Sequence, residues 1–262
     1  MRVGLSRRTH VDRPLLDEVT IADGLTRAGG DQSVVATVLT GRDGPEGPTV
    51  VVMHGACGAP EDLTPFAFAL ALCRARVCNV SWRAIRARAD LRTGTGDVVA
   101  AVSWAEDRWQ QPVTLVAWSD GAFVAARLGL DPAERRTAPA AVVGLAGYYG
   151  WDSPAPPASV VNERTVAWIG ARPETAPAVW QAANPYAHIG TGSTTVFHLV
   201  VARHDPVRGD AQRFQELMAV GGHQVSLTVV DDAAPLEILI PRLSYGRQAL
   251  DAILQTARSV TA

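Results

Sequence analysis

The stretch Val113-Thr114-Leu115-Val116-Ala117-Trp118-Ser119-Asp120-Gly121-Ala122-Phe123-Val124 decides how the chain is read. The apolar run over 113–118 fits a strand buried on both faces of a parallel sheet. GAFVAARLGL at 121–130 fits a helix, so Ser119 stands at a strand-to-helix turn. A serine on so sharp a turn, a nucleophile elbow, needs small residues two positions before and two after it, because the two backbones nearly touch. Ala117 and Gly121 meet that need, and Ala122 keeps the helix start slim. An ordinary serine N-cap would require no small residue at 117.

Outward from the elbow, strand and helix patterns alternate. Strands are expected at 15–21, 33–40, 49–55, 76–82, 140–147, 194–202 and 224–230, and helices at 61–75, 96–109, 207–220 and 237–258. The GRDGPEGP stretch at 41–48 reads as a turn. This alternation implies right-handed βαβ units and a mostly parallel sheet of about eight strands. One domain over 1–262 is expected, since α/β folds commonly fill this length as a single unit. Residues 148–193 break the rhythm with Tyr148, Tyr149, Trp151, Trp168, Trp180 and the proline-rich SPAPPAS. An insertion between two sheet strands is where such a fold carries a cap or lid. Tyr148, Tyr149 and Trp151, with Trp118 at the elbow, are candidates to line a pocket, because open α/β sheets bind ligands at strand C-terminal ends.

Composition excludes several chemistries. Every basic side chain other than histidine is arginine. A phosphate-binding P-loop and the Schiff-base enzymes need a lysine that this chain lacks. The net charge of −2 offers no basic field to nucleic acid. No apolar run approaches the roughly 20 residues that span a bilayer. The basic opening MRVGLSRRTH has no apolar segment after it, so no secretory signal is read. Three cysteines, Cys57, Cys73 and Cys78, are too few and too odd for a disulfide scaffold, which points to a reducing cytoplasm. Cys73 and Cys78 read as buried thiols rather than a metal pair. Thr93-Gly94-Thr95-Gly96-Asp97 carries a G-x-G but no phosphate-binding turn, and reads as a helix-entry loop. Neither cofactor nor metal ligands are expected, and a homodimer stays open.

A second motif, Met53-His54-Gly55-Ala56-Cys57-Gly58, follows the strand 49–55. Beside an elbow, a glycine-containing loop of this kind donates one backbone N–H to an oxyanion hole, and the residue after the serine donates another. Asp120 is that residue, and Ala56 or Cys57 is the partner on the loop. Together with Asn184-Pro185-Tyr186, Ala202-Arg203-His204-Asp205-Pro206-Val207 and Leu236-Glu237-Ile238-Leu239, these motifs resemble the α/β-hydrolase superfamily, in particular its small carboxylesterases and dienelactone-hydrolase-like or peptidase-like members. The resemblance covers roughly 15–258 and speaks to the fold more than to a substrate. It implies that Ser119 is the nucleophile position and Asp205 the triad acid, in the order Ser…Asp…His.

The resemblance also implies a histidine about 30 residues after Asp205, in the loop after the last strand. The chain reads Asp231-Asp232-Ala233-Ala234-Pro235-Leu236-Glu237-Ile238-Leu239 there, with Pro235 in the histidine's place. No histidine follows His223, which precedes the last strand and so lies roughly 20 Å from the catalytic edge. Proline has no proton to move, and an unassisted serine hydroxyl is a poor nucleophile. His204 and His54 remain as displaced bases to weigh, with His198 inside a strand. Asp231 and Asp232 fit a solvated turn.

Three functions compete. A non-hydrolytic enzyme of lyase, cyclase or isomerase type could use the oxyanion hole to stabilise an enolate of a hydrophobic small molecule. A serine esterase could use a displaced base. A binding protein could keep the fold without chemistry. The preserved small residues around Ser119 argue against the last.

Overall fold

A computed structural model describes residues 15–21, 34–40, 47–84, 89–131, 137–151 and 163–261, with backbone alone for 15–21. MRVGLSRRTH, SPAPPAS and most of GRDGPEGP lie outside them. Eight strands form one sheet in the order β1-β2-β4-β3-β5-β6-β7-β8. They are β1 (Leu15–Ile21), β2 (Val34–Thr40), β3 (Thr49–Met53), β4 (Arg76–Ser81), β5 (Val113–Trp118), β6 (Ala141–Leu145), β7 (Val196–Ala202) and β8 (Val225–Val230). β1 and β2 pair antiparallel, as do β2 and β4, and every pairing from β4 through β3 to β8 is parallel. The mostly parallel sheet flanked by helices is the expected one.

The helices are α1 (Thr64–Leu72), α2 (Leu91–Trp109), α3 (Gly121–Leu130), α4 (Glu163–Ile169), α5 (Pro177–Ala183), α6 (Arg208–Val220) and α7 (Ser244–Ser259). Period-two alternation sorts the central strands between two cores. Val51, Met53, Leu115 and Ala117 pack with residues of α2, α3 and α6. Val50, Val52 and Val116 pack with residues of α1 and α7 on the other face. Such strands read as unbroken apolar runs because both their faces are covered.

Three expectations are corrected. The G-x-G stretch lies inside α2, not in a loop before it: Asp90 caps the helix by accepting the Thr93 N–H at 2.7 Å. A Cβ on Gly94 would fall 2.5 Å from the Arg83 carbonyl and 2.8 Å from the Trp82 ring, so that glycine serves helix–strand packing. The final helix begins at Ser244; a short 3₁₀ turn, Glu237–Leu239, precedes it, and Pro241 stands between the two. Within 163–193 the chain forms α4, α5 and a 3₁₀ turn, Pro185–His188, that the reading by pattern left unassigned. No helix among the described residues is long and apolar enough to cross a membrane.

His198 is a structural residue of β7. Its Nδ1 lies 3.0 Å from Thr256 Oγ1 and its Nε2 2.9 Å from Thr228 Oγ1. Burial pushes its imidazole below the ordinary 6.5. As pH falls, the unfolded chain therefore takes up this proton before the folded one does. The stabilisation is complete above the ordinary imidazole value and is lost as pH falls through and below it. His198→Gln is expected to flatten the acid side of stability, measured as urea midpoints between about pH 8 and about pH 5. An unchanged slope would show that another group titrates.

Candidate functional site

Ser119 is held in a backbone conformation with φ +55°, between the end of β5 and the start of α3. A non-glycine residue there costs of order 1–3 kcal/mol and persists only where its surroundings enforce it. The enforcing contacts are short. Ser119 N–H donates to the Leu145 carbonyl at 3.0 Å, and the Ser119 carbonyl accepts from Ala122 N–H at 3.0 Å and from Tyr148 N–H at 3.5 Å. A Cβ on Gly121 would sit 2.7 Å from the His54 carbonyl, and one on Gly55 would sit 3.2 Å from Ser119 Cβ. The glycines at 55 and 121 thus let the β3 loop, the serine and the start of α3 meet at one point.

The β3 loop turns tightly, with Gly58 N–H donating to the Gly55 carbonyl at 2.8 Å. Ala56 is buried and Cys57 exposed. The backbone N–H groups of Ala56, Cys57 and Asp120 meet no acceptor among the described residues. Two strands along, the chain folds back after β7, where Asp205 N–H donates to the Ala202 carbonyl at 3.1 Å. β5 and β7 flank β6, so Ser119 and Asp205 stand at the same sheet edge across roughly 10 Å of sheet. Asp205 is 8% exposed. Its Oδ1 accepts the Val207 N–H at 3.0 Å, while its Oδ2 has no partner among the described residues. Burial pushes its carboxyl upward, partly offset by the Val207 N–H. Burial also pushes up the carboxyl of Asp120 beside the serine.

No described imidazole hydrogen-bonds to Asp205. His54 is buried; its Nδ1 lies 2.8 Å from the Gly55 carbonyl and its ring 5.6 Å from that of Trp82. His204 is exposed in the turn that follows β7, while Asp205 next to it is buried. His223 accepts the Gly190 N–H on Nε2 at 2.9 Å, beyond the start of β8. Pro235 is half-buried in the turn after β8, where Ala234 N–H donates to Glu237 Oε2 at 2.8 Å and Glu237 N–H to the Ala234 carbonyl at 3.0 Å. Asp231 is an exposed turn residue paired with Arg203, whose Nε donates to Oδ1 at 2.7 Å.

No family model matches the sequence, and no curated protein sequence does. Solved structures do. A bacterial heroin esterase is 20% identical, covering 96% of this chain and 86% of its own, with a TM-score of 0.74. An esterase from Pyrobaculum calidifontis is 20% identical over 96% of this chain and 88% of its own, also at 0.74. A thermophilic and thermostable carboxylesterase cloned from a metagenomic library is 21% identical over 95% and 90%, again at 0.74. The fold is that of the α/β-hydrolases.

On this α/β-hydrolase fold the aromatic residues divide. Trp118 lines a groove of about 720 Å³ with Asp62, Pro65, Leu236, Leu239, Ile240, Pro241 and Arg242. Tyr148 stacks on Phe123 at 6.4 Å, next to the elbow. Trp151 is partly buried against Phe123 at 4.5 Å and Trp180 at 4.8 Å. Tyr149 is no pocket residue. It is fully buried and stacks on Phe214 at 4.6 Å. The sequence makes Tyr149 a pocket candidate, but with Tyr148 it lies in the core cluster on the α3 and α6 face of the sheet. His54 lines a separate cavity of about 520 Å³ with Glu61, Ser81 and Trp82. The groove beside Trp118 was missed because residues from 62 to 242 build it, and no local pattern marks them.

Tyr149 also gives a stability prediction. Its hydroxyl has no partner among the described residues and fills the space where a Gly144 Cβ would stand, at 2.0 Å. A buried hydroxyl without a partner costs its desolvation. Tyr149→Phe is therefore expected to stabilise the chain by about 1 kcal/mol in urea unfolding. A loss of similar size would reveal a hydrogen bond to that hydroxyl.

Proposed function

We propose that this chain is an enzyme of α/β-hydrolase fold that binds a hydrophobic, carbonyl-bearing small molecule at Ser119. The N–H groups of Asp120 and of Ala56 or Cys57 receive the carbonyl oxygen and stabilise negative charge that develops on it. Among the described residues no histidine stands ready to relay a proton between Ser119 and Asp205, which supports a main reaction that is non-hydrolytic, of lyase, cyclase or isomerase type. Proton transfer falls to the carboxyls of Asp120 and Asp205, both made better acceptors by burial. Residues 148–193 serve as the cap, the groove beside Trp118 takes apolar substituents, and the three free thiols suit a reducing cytoplasm.

The observation that carries this reading is the buried Oδ2 of Asp205, which has no partner among the described residues. In a complete relay, an imidazole N–H would occupy that oxygen. A slow serine esterase is the second reading, favoured by the enforced φ of Ser119 and by structural neighbours described as esterases. A fluorophosphonate probe separates the two. Labelling of Ser119 is expected to run at least about a hundredfold slower than in a serine esterase with a working base. Rapid labelling, abolished in Ser119→Ala, would replace the first reading with the second.

A further inference from the structure

A cleft of about 780 Å³ opens between helices α2 and α5. Small-molecule sites have volumes of roughly 300–1,000 Å³ and mostly apolar walls with a few polar groups. Helix α2 lines the cleft with Leu91, Thr95 and Val99, each four positions from the next and so on one stripe. The Thr95 hydroxyl donates to the Leu91 carbonyl at 2.7 Å, so it asks nothing of a ligand. Helix α5 forms the facing wall with Ala178 and Ala182, whose small side chains leave room. Val179 beside them is 46% exposed, a large apolar side chain left half uncovered. This wall is anchored from within: Trp180 is buried and donates its Nε1–H to the Ala171 carbonyl at 2.8 Å. The charge on the cleft is one-sided. Arg92 and Arg127 line it, and among its described lining residues there is no carboxylate. Arg127 is balanced by Asp131, Nη2 to Oδ2 at 3.1 Å. Arg92 is exposed at the rim and has no hydrogen bond or ion pair among the described residues.

We propose that this cleft is a second ligand site, which takes a small amphipathic carboxylate: the apolar body lies between α2 and α5, and the carboxylate pairs with the Arg92 guanidinium. Ser119, Asp120 and Asp205 do not line the cleft, so the proposal is independent of the reaction at the elbow. Two forces select the ligand. Covering the stripe of α2 and the exposed Val179 removes apolar surface from water, which any apolar body of the right size achieves. The planar fork of a guanidinium matches a carboxylate, which a neutral or cationic head group cannot exploit. A cationic head would also meet Arg92 as a like charge.

Probes with one apolar body and different heads test this: phenylbutyrate, phenylbutanol and phenylbutylamine, titrated calorimetrically into the full chain. In about 0.01 M salt, phenylbutyrate is expected to bind about fivefold more tightly than phenylbutanol, and phenylbutylamine most weakly. In about 1 M salt the three should converge, because an exposed pair is screened there. Arg92→Gln changes an exposed side chain and should leave the fold intact. It is expected to weaken phenylbutyrate about fivefold and leave phenylbutanol unchanged. Ala182→Trp fills the cleft from an exposed position and should weaken all three probes at least about tenfold. The proposal is overturned if the parent shows no saturable binding, if it binds the amine as tightly as the carboxylate, or if the carboxylate preference survives Arg92→Gln. Binding that Ala182→Trp does not weaken would place the probes elsewhere on the chain and overturn it as well. None of these results bears on the elbow, whose test is the labelling of Ser119.

Discussion

Pro235→His is expected to raise hydrolysis of p-nitrophenyl acetate about 10- to 100-fold over the parent. The oxyanion donors and binding alone leave a residual roughly 10³–10⁴-fold over water when triad members are absent, so the parent is expected to turn over slowly. A well-placed general base contributes roughly 10²–10⁴-fold, and an unrefined loop delivers the lower part of that range. The position is favourable in two respects. Residue 235 lies in the turn that leaves β8, the strand beside β7, at the same edge as Asp205. Its loop is also already tied by the Ala234–Glu237 hydrogen bonds and the Arg203–Asp231 pair, so losing the proline ring costs little order. The gain should rise with pH through the imidazole value near 6.5. In Pro235→His combined with Ser119→Ala the gain should vanish. If it survives, the new histidine is acting alone. A parent as fast as ordinary esterases would refute the absence of a base.

Asp210→Ala is expected to destabilise the fold by about 3–5 kcal/mol, because it orphans several buried groups at once. Asp210 stands in the first turn of α6 and is 3% exposed. Its Oδ2 accepts the Tyr149 N–H at 2.6 Å and its Oδ1 accepts the Tyr186 hydroxyl at 2.8 Å. Burial, then the charge of Asp210, pushes the Tyr186 phenol upward, which keeps it protonated and donating. One carboxylate thereby pins the start and the end of the 148–193 excursion to α6. The expected fall in melting temperature is about 10 °C, at roughly 2–4 °C per kcal/mol for a chain of this size. Tyr186→Phe removes one of these bonds and should cost about 1–2 kcal/mol. A loss below about 1 kcal/mol for Asp210→Ala would mean that the excursion is held by its aromatic packing alone.

How far the sequence could be read depended on the scale of the signal. Helix α3 was legible over its full span, 121–130, because its start coincides with the small residues of the elbow. Helix α2 began five residues before the expected Gly96, because two glycines argued for a loop where both lie in the helix and Gly94 packs against Trp82 and Arg83. Tyr148 and Tyr149 were indistinguishable as letters, and only the packing separated a ring against Phe123 of α3 from one against Phe214 of α6. Asp210, which anchors the excursion, carried no motif at all. Its partners lie 61 and 24 positions away in the chain.

The sequence by itself determined the sheet-and-helix order, the turn at Ser119 and the proline at 235. Those features are local: unbroken apolar runs, small residues at fixed offsets, and the identity of one side chain. The tertiary structure decided the rest. It brought the β3 loop against Ser119, left Asp205 Oδ2 buried without a donor among the described residues, turned His54 to a backbone carbonyl and left His204 exposed. A side chain's burial, direction and partner depend on strands far apart in the chain, and only the folded sheet sets them side by side.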